Sequence, residues 1–135
     1  MRGGQRVAVR VLAPILFALP APAFAIKSLL LGFDTPEVLF SQVRAAIESV
    51  TSKVLSARLR AVLVCNAREA LRKTALPILY LQARQDRLVS AQSLKDIQEL
   101  RPDIAIVAIN GPHLLLQRNP QEAAQVVTHF LQQLP

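Results

Sequence analysis

Apolar positions along this chain change their spacing near its middle. In residues 36–50 they recur as Leu39, Val43, Ala46, Ile47 and Val50, the three-and-four spacing that keeps one helix face in the core. Thr35 is placed to cap this helix, with Pro36 at its first position and Glu37 in its first turn. A second helix opens at Thr51 or Ser52 and carries Val54, Leu55, Leu59, Val62 and Leu63 on one side. Asn66 caps a short third one that runs through Lys73. After Pro77 the period is lost. "ILYLQA", residues 78–83, and "IAIVAI", residues 104–109, are continuous apolar runs bounded by turn residues, as expected of strands buried on both faces. Ser90 caps a helix between them that reaches about Leu100, and Asn119 and Pro120 open a last helix with Ala123, Val126, Val127, Phe130 and Leu131 as its inner stripe.

The predicted order after Pro77 is therefore strand, helix, strand, helix, which implies a right-handed crossover between parallel strands. The fold class is α/β, with a helical segment over residues 1–73 and a β-α-β-α unit over residues 74–135. Two parallel strands with apolar faces on both sides call for more sheet than the chain's own pattern supplies. There is no internal repeat and no low-complexity linker.

Composition narrows the function. Of 135 residues 52% are apolar and only 4% aromatic, so the core is built from Leu, Val, Ile and Ala. Cys65 is the single cysteine, which excludes an internal disulfide and a zinc cluster. No metal and no cofactor is expected. Between Leu63 and Cys65 the pattern reads as a buried helix face, so the thiol is expected to be apolar filling. The net charge of +7 comes from residues 1–73, which hold eleven Lys or Arg against four Asp or Glu, while residues 74–135 hold five of each. Such a basic half can attract anionic partners. Arg44, Arg58, Arg60, Arg68 and Arg72 lie in helical patterns without interleaved aromatics or a glycine-rich phosphate loop, which argues against nucleic acid and for a solvated helix surface.

Residues 1–25 admit two readings. "MRGGQRVAVR" and "VLAPILFALPAPAFA" have the basic head, apolar stretch and Ala23-Phe24-Ala25 ending of an export signal. The same residues also suit a helical segment buried beneath the rest of the protein. A membrane span is not expected, since Pro14, Pro20 and Pro22 interrupt a run shorter than the roughly 20 residues required.

Two polar side chains follow the two strands. Asp86 stands in "QARQDRLVS" and His113 in "AINGPHLLLQRNP", 27 residues later. One helix and one strand fit between them and bring both to the carboxyl edge of a parallel sheet, where ligands bind in open sheets. A carboxylate on one imidazole nitrogen fixes the tautomer and leaves the other nitrogen as a general base. A loop aspartate and a structural histidine would give the same letters.

Residues 77–135 resemble the C-terminal third of the α/β-hydrolase fold, in which a strand leads to x-x-D-x-x-V, a helix follows, and the next strand leads to G-x-H before a closing helix. The matching stretches are "LPILYLQARQDRLVSAQSLKDIQEL" and "AIVAINGPHLLLQRNPQEAAQVVTHFL". The resemblance implies that Asp86 is the acid and His113 the base of a catalytic triad. It also implies that residues 1–73 are a helical cap and return helix, which favours a cytoplasmic chain over an exported one. The family's nucleophile elbow, G-x-S-x-G, has no counterpart: Gly3, Gly4, Gly32 and Gly111 are the only glycines, and no two are four apart. The expected parent is a carboxylic ester hydrolase acting on a small acyl ester, with an acidic carrier protein as a further partner. This chain is then its C-terminal portion and inactive alone. The other expectations are a small exported binding protein and an accessory chain that completes a split hydrolase.

Overall fold

A computed structural model describes residues 22–134. The basic head and most of the signal-like stretch lie outside the described residues. Where the description begins, α1 (Ala23–Ile26) runs on into a wider π-turn over Lys27–Leu31. Gly32 ends it with a φ of 83°, a left-handed conformation that glycine adopts without steric cost. Then come α2 (Glu37–Glu48), α3 (Ser52–Val64) and α4 (Arg68–Lys73). The second half contains β1 (Leu79–Ala83), α5 (Ala91–Leu100), β2 (Ala105–Ile109), the single turn α6 (Leu115–Arg118) and α7 (Pro120–Gln132). The two strands are parallel, with Leu79 opposite Ala105 and Ala83 opposite Ile109. The mixed α/β class and the strand-helix-strand-helix order expected from the sequence are both present.

Seven apolar residues are buried among those described, and six of them gather in two small cores. Ile26, Leu31 and Phe40 form one beneath the helical half. Ile109, Leu115 and Ala123 form the other, between the sheet and α7. Bridging the halves, Arg68 Nη2 donates to Asp96 Oδ2 at 2.7 Å. A second bridge is Arg101, which is 9% exposed. Its guanidinium donates to the carbonyls of Leu71, Thr74 and Leu76 and to both oxygens of Asp103, so it fixes the approach of the chain to β1. That pairing holds the Asp103 carboxyl down at about 2.

Several expectations are corrected. Thr35 does not cap α2: its hydroxyl donates to the carbonyls of Leu31 and Gly32, at 2.7 and 2.9 Å, and closes the preceding turn. Pro36 takes the N-cap position instead. The apolar side of α3 is not buried, since no residue of that helix is. Cys65, at its C-cap, is exposed rather than core filling. In α7 the inner stripe narrows to Ala123, Val126 and Phe130, with Val127 and Leu131 facing outward, because a sheet of two strands covers only a narrow strip of a helix.

Candidate functional site

The ladder between β1 and β2 does not stop at the strand ends. Arg84 N donates to Ile109 O at 3.0 Å and Gln85 N to Gly111 O at 2.9 Å, so the loops that follow the strands stay side by side. Asp86 N then bonds back to Ala83 O, closing a tight turn. Asp86 Oδ1 accepts the amides of Leu88 and Val89 at 2.8 and 2.9 Å, an arrangement that aspartate favours because its short side chain can replace a backbone acceptor. The other oxygen, Oδ2, is thereby aimed across at the second loop.

That second loop leaves β2 through Asn110, Gly111 and Pro112. Gly111 is closely packed there: a Cβ on it would lie 2.8 Å from Asn119 Oδ1 and 2.9 Å from Leu115 Cδ1, so those side-chain ends would have to shift. His113 follows, and its Nδ1 is 2.9 Å from Asp86 Oδ2. The two side chains are 32% and 15% exposed respectively, reachable by a ligand yet largely withdrawn from water. The structure thus brings together both residues that the sequence singled out.

An ionised carboxylate can only accept, so Nδ1 carries the proton in this pair, and in the neutral ring Nε2 is then the nitrogen with the free lone pair. Burial pushes the Asp86 carboxyl upward, but the amide of Val89, the His113 ring and the amide of Leu88 outweigh it and hold the group below the usual 3.8. Asp86 is therefore an anion at neutral pH, ready to steady an imidazolium. A cavity of about 230 Å³ opens beside the pair, lined by Tyr80, Gln82, Asp86, Ser90, Leu94 and His113.

Among the described residues no hydroxyl or thiol is hydrogen-bonded to His113. Ser90 borders the cavity at the N-cap of α5 without a side-chain cap bond, and its hydroxyl lies 3.4 Å from that of Ser93. Nor does any group of three or more His, Cys, Asp or Glu among the described residues have the arrangement to hold a metal ion.

Three features near the site were not singled out in the sequence. Leu114 N donates to Leu30 O at 2.9 Å. Arg118 Nη2 donates to Asp34 Oδ2 at 2.8 Å. Gly32 lies under Pro112, such that a Cβ on it would be 3.9 Å from Pro112 Cγ. All three join residues some 80 positions apart, and no local pattern signals such pairings. The one legible trace was Gly32 itself, a glycine between an apolar run and a Thr-Pro helix start.

On the basic half, Arg44 pairs with Glu48, Arg68 with Asp96 and Arg72 with Glu69. Lys53, Arg58 and Arg60, all on α3, pair with no carboxylate among the described residues. No helix among the described residues is long and apolar enough to cross a membrane. No family model and no curated protein matches the chain.

Proposed function

We propose that this chain supplies the acid–base half of an α/β-hydrolase-type centre that cleaves carboxylic esters, with the nucleophilic serine and oxyanion donors contributed by another polypeptide segment. The observation that carries this reading is the Asp86–His113 pair at the carboxyl edge of parallel strands, joined through Nδ1 with Oδ1 of the aspartate held by two backbone amides. In that centre a serine Oγ attacks the ester carbonyl while His113 Nε2 takes its proton. His113 then gives the proton to the departing alcohol, and a water activated by the same nitrogen releases the acid from the acyl-serine. Asp86 holds the ring in the useful tautomer and offsets the charge it gains. The cations of α3, which pair with no carboxylate among the described residues, suit an acidic acyl carrier as the source of the acyl group.

The test is to translate the DNA upstream of the Met1 codon in all three frames and co-express what it encodes with this chain. The expected product carries strands and a G-x-S-x-G elbow, and the pair hydrolyses short p-nitrophenyl esters. His113→Ala should reduce that turnover by about 10³-fold or more, and Arg58→Glu with Arg60→Glu should slow turnover of a carrier-linked ester only. No such upstream segment, or His113-dependent turnover by this chain alone, would sink the proposal.

A further inference from the structure

We infer that Asp34 and Arg118 form a latch that holds the His113 loop in register with Asp86, which makes them positioning residues for the base; this rests on the reading of His113 given above. The ion pairs within single helices, such as Arg44–Glu48 and Arg72–Glu69, join residues three or four apart, whereas Arg118–Asp34 spans 84 positions and ties one half of the molecule to the other. Its setting differs from that of an ordinary surface pair. The Arg118 side chain is only 16% exposed, and its Nε is buried without a partner among the described residues. Asp34 is the one group among the described residues that receives a hydrogen bond from this guanidinium. Asp34, whose side chain is 81% exposed, meets the guanidinium at the molecular surface, so loss of that carboxylate leaves the cation to water and removes the tie that holds its turn against residues 30–35.

That turn is α6, a single turn beginning two residues after His113. Movement of Arg118 therefore reaches His113 through the single turn of α6 and Leu114, a path of five residues on which Leu115 is packed in the second core. Asp34 is a firm anchor despite its own exposure. It sits between Gly32, whose φ of 83° sets the turn, and Thr35, whose buried hydroxyl bonds back to Leu31 and Gly32. The Leu114 N to Leu30 O bond runs beside the latch and shares its fate. The helical half thus acts on the site through residues 30–35, at the root of the loop that presents the base.

The experiment is NMR on the full chain, following the His113 Nδ1 proton, identified by its loss in Asp86→Asn, together with exchange of the Leu114 amide. Asp34→Ala should broaden the Nδ1 proton beyond detection and speed Leu114 exchange on the order of tenfold. Asp34→Asn, which keeps an oxygen acceptor, should be intermediate. If Asp34→Ala does not fold, Asp34→Asn and Arg118→Lys are compared in its place. A lowered melting temperature with both signals unchanged well below it would show a merely structural pair and overturn the latch. An unmodified chain lacking the Nδ1 signal would instead refute the Asp86–His113 reading, and the latch would stand or fall on Leu114 exchange alone.

Discussion

At the scale of the residue, Asp86 does two separable jobs: Oδ1 accepts the Leu88 and Val89 amides, and Oδ2 accepts the imidazole. Asp86→Asn separates them. The amide oxygen can still close the turn, but the NH₂ group then faces Nδ1 and selects the tautomer protonated on Nε2, which cannot act as a base. In a completed enzyme this should cost about 10⁴-fold in rate with little change in fold. The pH dependence of stability offers a check that needs no substrate. Since the folded state holds the carboxyl below 3.8, the unfolded chain binds more protons in that window. The contribution is therefore fully present above 3.8 and is lost as pH falls through the lower, folded value. Thermal melting between pH 5 and 2 should fall more steeply for the unmodified chain than for Asp86→Asn. Equal slopes would show that Asp86 gains nothing from its partners.

At the scale of the element, the loop bearing His113 depends on Gly111. A methyl group there would meet Asn119 Oδ1 at 2.8 Å and Leu115 Cδ1 at 2.9 Å. Leu115 is 6% exposed and packed in the second core, so it cannot simply swing aside. Gly111→Ala should cost about 1–3 kcal/mol in urea unfolding and weaken the His113 Nδ1 signal; an unchanged midpoint would mean that Asn119 moves freely. The glycine and histidine were legible in the sequence because strand ends and turn residues are local signals. Both strands were legible too, since their apolar runs are bounded by Pro77 and by the polar groups after Ala83 and Ile109. The start of α2 was read one position early because the Thr35 hydroxyl has two uses, capping forward or closing backward, and the carbonyls of Leu31 and Gly32 win. Residues 63–65, expected as a buried helix face, are exposed, because periodicity shows which side of a helix is apolar and not whether anything covers it. Arg101, which joins three carbonyls and a carboxylate, left no local signal at all.

At the scale of the whole molecule, the sheet edge beside β1 decides how the isolated chain behaves. Ala105 N donates to Ile78 O, and Arg84 N to Ile109 O. In a parallel ladder the amide and carbonyl of one residue point to the same side. Ile78, Tyr80, Gln82 and Arg84 therefore face β2, while the N–H and C=O groups of Leu79, Leu81 and Ala83 face the other edge. β1 carries no charge, proline or bulge to discourage pairing there, and an edge of this kind is a template for another strand. The chain alone should associate as its concentration rises, seen as an increasing mass in sedimentation. Leu81→Pro separates edge pairing from general stickiness, because it removes a donor that faces outward and leaves the ladder to β2 whole, whereas Gln82→Pro removes one that faces inward. Leu81→Pro should keep its circular dichroism and remain monomeric; Gln82→Pro should lose the strand pair. Continued association of Leu81→Pro would place the contact elsewhere, on the outer edge of β2 at Ile106 and Ala108, on the exposed Val62 and Val64 of α3 or on the Phe24 and Phe33 pair.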